Sequence, residues 1–157
     1  MTLVCCCGYS IRTGGVWCSR TWRCYVIARA GSKRLPYKNL LPYKGVPLVR
    51  HAITTLLESN LFNQVVLSTD CELIARTCMD ISNICLLKRP ESLAGDNIAS
   101  IPVFQHIVEN FPCDIHLNYN CNFPECPIDV FGQAISEVWI FLIMSNPAGN
   151  WFDYRLW

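Results

Sequence analysis

The stretch Cys24-Tyr25-Val26-Ile27-Ala28-Arg29-Ala30-Gly31-Ser32-Lys33-Arg34-Leu35-Pro36-Tyr37-Lys38-Asn39 joins an apolar run to a cationic loop. The apolar part, Cys24 to Ala28, reads as a buried strand. The eleven residues from Arg29 to Asn39 hold four cations and no acid. A cationic loop leaving the carboxyl end of a strand is where an open α/β sheet binds a phosphorylated ligand. The loop therefore predicts a nucleotide triphosphate. It is not a P-loop, since Gly-x-x-x-x-Gly-Lys-Ser/Thr is missing, and no GxGxxG occurs. The grip on phosphate falls to Arg29, Lys33 and Lys38, with backbone N–H groups around Gly31 and Ser32. Cations held there also stabilise charge building on a pyrophosphate leaving group, which gives Arg29 and Lys38 a catalytic role.

Outward from this stretch, strands alternate with amphipathic helices. Pro36 and Pro42 pin a long loop over 29–45, and Pro47 suits the first turn of a helix. Val49, Ala52, Ile53, Leu56 and Leu57 recur at helical spacing. Val65-Val66-Leu67 is a second strand, and Asp70 is placed to cap a helix running to Cys78. Ile84 to Leu87 is a third strand. Ser100 is placed to cap a helix whose apolar side carries Ile101, Phe104, Ile107 and Val108. Ile115 to Leu117 is a fourth strand, followed by a polar loop over 118–127, a helix over 128–137 and a strand over 139–144. This order predicts right-handed βαβ units and a mostly parallel sheet. The loops beginning at Arg29, Ser68 to Asp70, Lys88-Arg89 and Asn118 would then open on one crevice.

Composition fits a folded domain. The chain has 157 residues, 52% apolar and 16% charged. Its net charge is only +1, yet residues 1–57 hold nine of the thirteen Lys/Arg and none of the twelve Asp/Glu. A basic half suits nucleic acid, an anionic membrane or a phosphorylated small molecule. Cations gathered in one proline-bearing loop, rather than along a face, favour the small molecule and argue against nucleic acid. No apolar run is long enough for a membrane span, and the start lacks a signal-peptide pattern. Eleven cysteines without a CxxC pair read as reduced thiols of a cytoplasmic protein, although Cys113, Cys121 and Cys126 could bring three thiolates together. The three histidines, His51, His106 and His116, share no motif and read as structural.

The ordered motifs resemble those of the acylneuraminate cytidylyltransferases, the CMP-sialic acid synthetases. The resemblance rests on Arg29 through Leu40 and on Gly45-Val46-Pro47-Leu48. It continues through Val65-Val66-Leu67-Ser68-Thr69-Asp70 and Arg89-Pro90-Glu91-Ser92-Leu93-Ala94-Gly95-Asp96, and ends near Ser100; overall it covers roughly residues 24–117. It implies a Rossmann-like, three-layer nucleotidyltransferase core. It also implies transfer of CMP from CTP to an acid sugar, sialic acid or a related nonulosonate, with release of pyrophosphate and with Mg²⁺. By the same resemblance Arg29, Lys33 and Lys38 contact the triphosphate and Asn39 the ribose. Arg89 faces the cytosine side, Ser100 lines the same pocket, and Asn118 stands in for a glutamine as a shorter amide.

After Leu117 the family pattern Leu-Gln-Pro-Thr-Ser-Pro gives way to Asn118-Tyr119-Asn120-Cys121-Asn122-Phe123-Pro124. The expectation is a core incomplete at its C-terminus: an irregular cysteine-rich leader over 1–23, a nucleotide-binding domain over 24–145 and a divergent tail over 146–157. The acceptor-sugar site, the Mg²⁺-holding aspartates and the element that makes the full-length form a homodimer would lie in the missing half. The alternative expectation is an inactive CTP-binding remnant.

Overall fold

The computed structural model describes residues 22–32, 35–62, 64–113 and 115–135. The leader, Lys33, Arg34, the predicted strand over 139–144 and the tail lie outside the described residues. The chain divides after Glu125 into two compact units. In the second, residues 129–135 are helical, within the helix expected over 128–137.

In the first unit four strands form one parallel sheet: β1 (Trp22–Ile27), β4 (Val65–Thr69), β5 (Ile84–Lys88) and β6 (Ile115–Tyr119). Their order is β5-β4-β1-β6. Three helices connect them: α1 (Leu48–Glu58), α2 (Glu72–Cys78) and α3 (Ser100–Asn110). β4 is buried at all five positions, as expected of a central parallel strand covered on both faces. On one face Tyr25 and Val66 pack against Val103 and Ile107 of α3, and the Tyr25 and Phe104 rings lie 5.5 Å apart. Strand alternation turns Cys24, Val26, Val65 and Leu67 to the other face, where α1 and α2 contact β1 and β4. Val49, Ala52, Ile53 and Leu56 are the buried stripe of α1, as the helical spacing requires. The expected three-layer α/β architecture with a parallel sheet is therefore present.

Four local expectations are corrected. The loop over 29–45 is not irregular throughout: Lys38–Leu40 form a 3₁₀ turn, and β2 (Pro42–Tyr43) pairs antiparallel with β3 (Val46–Pro47). Lys44 and Gly45 between them both have positive φ, 49° and 84°, the geometry that twists a two-residue hairpin correctly. Pro47 consequently closes the hairpin and precedes the helix instead of opening its first turn. Second, Asp70 does not cap α2. Cys71 stands at the cap position with no side-chain bond, and the Asp70 carboxylate is used elsewhere.

Third, Ser100 is the first helical residue of α3 rather than its cap; Ala99 precedes it, and no side chain caps the end. The buried side of α3 is also rotated. Ile101 and Val108 are 65% and 40% exposed, whereas Val103 and Ile107 are buried. This helix carries apolar residues on most of its circumference, so docking against Tyr25 and Val66 selected the face. Fourth, Asn118 and Tyr119 belong to β6 and not to the polar loop. They pair with Tyr25 and Val26, and Tyr119 is buried. Ladder bonds with β1 and burial of the tyrosine ring outweigh the polar character of Asn118.

Candidate nucleotide-binding site

The sheet order places a topological switch between β1 and β6. From β1 the chain winds outward through β4 and β5, then crosses back to β6 on the far side of β1. Parallel strands send their connections away in opposite directions at such a point, which leaves a crevice beyond the strand ends. The loop that begins at Arg29 leaves β1 beside it.

One wall is a hydrogen-bonded frame. The Ala28 N–H donates to Ser68 O at 3.0 Å, and the Arg89 N–H donates to Thr69 O at 2.8 Å. The Arg89 guanidinium is buried, with only 3% of the residue exposed. Its Nε donates to Ser68 Oγ at 3.2 Å, and an Nη donates to Ser68 O at 2.8 Å. Burial pulls this guanidinium below its ordinary value; Asp70 opposes the shift and Arg29 adds to it. An arginine stays charged under such a shift. Asp70 accepts the Ala30 N–H at 3.1 Å, which anchors the start of the cationic loop to the end of β4.

A second tie crosses the switch point. Asn39 is buried; its Nδ2 donates to Arg29 O at 3.1 Å, and its Oδ1 accepts from Cys121 Sγ at 3.2 Å. The amide thus links the two ends of the β1 loop to the segment after β6. Burial pushes the Cys121 thiol up to about 11, with Lys38 pulling the other way. The thiol therefore stays protonated near neutral pH and can donate this bond. Lys44 and Glu125 add an exposed ion pair at 3.4 Å.

Arg29 is held differently. One Nη donates to Gly95 O at 3.1 Å, and the other pairs with Asp96 Oδ1 at 2.8 Å. Both side chains are about one-third exposed, 31% and 37%. Gly31 is exposed and Ser32 half-buried, and a Cβ at Gly31 would meet nothing within 4 Å, so the backbone there is open to close approach.

Of the residues singled out from sequence, Arg29, Asn39 and Arg89 converge with Ser68 and Asp70 on the strand ends, and Lys38 faces the Cys121 thiol electrostatically. Lys33 lies outside the described residues. Ser100 is exposed at the start of α3. Asn118 is exposed but sits within β6 opposite Tyr25, so the end of that strand is Tyr119 and not Asn118. Three residues gain roles that sequence reading missed: Ser68 as the anchor of Arg89, Cys121 as the partner of Asn39, and Asp96 as the partner of Arg29. Ser68 and Asp96 stand inside quoted motifs, so a signal for them existed. Cys121 carried none. The three-thiolate idea fails on geometry, because Cys113 and Cys121 lie at opposite ends of β6. Among the described residues no group of three His, Cys, Asp or Glu side chains converges to hold a metal ion, and no helix is long and apolar enough to cross a membrane.

The fold and this crevice define a Rossmann-like α/β domain with a crevice at its topological switch point. A family model described as cytidylyltransferase matches residues 24–137, and the chain belongs to that family. The match runs past Leu117, where the sequence motifs stop. A pseudaminic acid cytidylyltransferase of Campylobacter jejuni is 36% identical over 119 residues, covering 73% of this chain and 51% of the relative. An N-acylneuraminate cytidylyltransferase of Streptococcus agalactiae is 32% identical over 90 residues, covering 56% of this chain and 22% of the relative. Among solved structures, a CMP:2-keto-3-deoxy-manno-octonic acid synthetase complexed with CTP is similar with a TM-score of 0.61 at 19% identity. That likeness covers 81% of this chain and 48% of the solved one and establishes the shared fold. The chain spans about half, or less, of the lengths of these relatives.

Proposed function

We propose that this chain binds CTP and transfers CMP from it to an acid sugar, sialic acid or a related nonulosonate, releasing pyrophosphate. The observation that carries the reading is the anchored cationic loop. Asp70 and Asn39 fix its two ends, so Arg29 and Lys38 are presented at the switch point without waiting for a ligand. Such preorganised cations stabilise charge as it develops, at little reorganisation cost. In this reading the sugar hydroxyl attacks the α-phosphorus, and the bond to the bridging oxygen breaks. The β- and γ-phosphates leave as pyrophosphate, their charge met by Arg29, Lys33 and Lys38. Gly31 and Ser32 offer backbone N–H groups, Asn39 lies toward the ribose, and Ser100 and Asn118 line the outer crevice. Arg89 acts from behind, holding the strand ends in register.

Mg²⁺ belongs to the proposal as an ion carried in by the phosphate oxygens. In this reading the chain meets the phosphate charge with its own cations. Free thiols at all seven described cysteines support a reducing, cytoplasmic setting. A homodimer belongs to the same reading, from the family resemblance.

The test is pyrophosphate release from CTP and Mg²⁺ with a panel of acid sugars. Release that depends on both CTP and sugar is the expected result. Protection by CTP against thermal unfolding, with no pyrophosphate from any sugar, would instead favour a binding chain without turnover. Absence of both would remove the reading.

A further inference from the structure

In the free protein the cation at the mouth of the crevice already holds an acid. Both terminal nitrogens of Arg29 are taken by one short turn, at Gly95 O (3.1 Å) and Asp96 Oδ1 (2.8 Å). The other carboxylate near the strand ends, Asp70, directs an oxygen to the Ala30 N–H, and Arg89 spends its hydrogen bonds on Ser68. Asp96 is thus paired directly with a crevice cation. The pair is open to solvent on both sides, so it is weak and readily exchanged. The turn does not depend on it, because the Ile98 N–H also donates to Gly95 O at 3.2 Å.

We propose that Asp96 is a stand-in for a phosphate oxygen: it aims the Arg29 guanidinium while the crevice is empty, and a polyphosphate displaces it on binding. The inference rests on the nucleotide-binding reading above and deepens it. A carboxylate and a phosphate offered to the same guanidinium edge repel each other, so every phosphate that enters must move Asp96 aside. The residue then opposes binding in proportion to ligand charge. It sets discrimination among phosphorylated ligands without contacting the base or the sugar.

The Asp96→Asn variant isolates this effect, since the amide keeps an oxygen for Arg29 and removes the charge. Dissociation constants for CTP, inorganic triphosphate and cytidine are measured on the whole chain, first in metal-free low-salt buffer and then with Mg²⁺. CTP and triphosphate are expected to bind about three- to tenfold more tightly to the variant, with cytidine unchanged and the gain shrinking as salt rises. Unchanged or weaker CTP binding in metal-free buffer would overturn the inference, as would an equal gain for cytidine. Weakening confined to the Mg²⁺ series would make Asp96 a cation ligand and overturn it too. Asp96→Ser serves as the second variant if the amide lowers the melting temperature. Wild-type chain that takes neither CTP nor triphosphate would defeat the nucleotide reading itself. Wild-type binding without a gain in the variants defeats only the role of Asp96.

Discussion

Arg29 and Arg89 stand at the ends of strands in the same sheet, yet the two regions treat an arginine in opposite ways. Arg89, after β5, is sealed behind the end of β4 and bonded to Ser68 at two points. Arg29, after β1, is one-third exposed and rests in a replaceable ion pair. A charge that is buried and hydrogen-bonded fixes geometry, because any rearrangement strands an unsatisfied polar group. A charge at the surface holds its partner loosely and can exchange it for a ligand. The crevice thus combines a fixed frame with a cationic rim.

The sharpest way to break this contrast is Arg89→Ala. It takes the Arg89 partner from the Ser68 hydroxyl, removes one of the two bonds to the Ser68 carbonyl and leaves Asp70 without its nearby cation. We expect about 3 kcal/mol of lost stability in urea unfolding, with loss of CTP binding as a consequence. A variant of wild-type stability that fails only in binding would move Arg89 from the frame to the rim.

The next effect is alkaline. Cys121 and Cys78 are both pushed up to about 11 by burial, from an ordinary value near 9. A group whose folded value is raised contributes stability that is complete below its unfolded value and is lost as pH rises through the folded one. The contribution of these two thiols should therefore hold to about pH 9 and be lost between about pH 9 and 11, by at most about 3 kcal/mol per thiol. Cys121→Ser keeps a donor for Asn39 and removes one of these titrations. Its unfolding curve should fall less steeply over that window. An identical slope would mean that Cys121 is not buried as a neutral thiol.

The smallest change in stability is expected for Lys38→Ala. Among the described residues no hydrogen bond or ion pair holds the Lys38 side chain in the frame, so the melting temperature should stay within about 2 °C. CTP affinity should nonetheless fall about tenfold, the scale of one charge-assisted contact. A loss of stability without a loss of affinity would place Lys38 in the frame and empty the rim of its second cation.

Much of this frame was legible in the sequence. Alternating apolar runs and 3.6-residue stripes gave every strand of the sheet and all three helices joining them, since those periods are local properties of the backbone. The cationic loop was visible for the same reason: Arg29, Lys38 and Asn39 are close in the chain. The misassigned residues share another cause. Asp70 and Ser100 have the side chains of helix caps, and the local rule assigned them that work. Asp70 instead found the Ala30 N–H, a partner brought to it only when β1 and β4 paired. Tyr119 read as loop until β1 gave it a ladder and a buried position.

What the sequence alone determined was a parallel α/β domain with a cationic loop after its first strand. The tertiary structure decided which cation is framed and which is held loosely. Arg89 lies 21 residues from Ser68, Asn39 lies 82 from Cys121, and Arg29 lies 66 from Gly95. Residues so far apart in sequence meet only through the strand order β5-β4-β1-β6. Hydrogen bonds and ion pairs act over a few ångströms, so their partners are chosen after the sheet has assembled and not before.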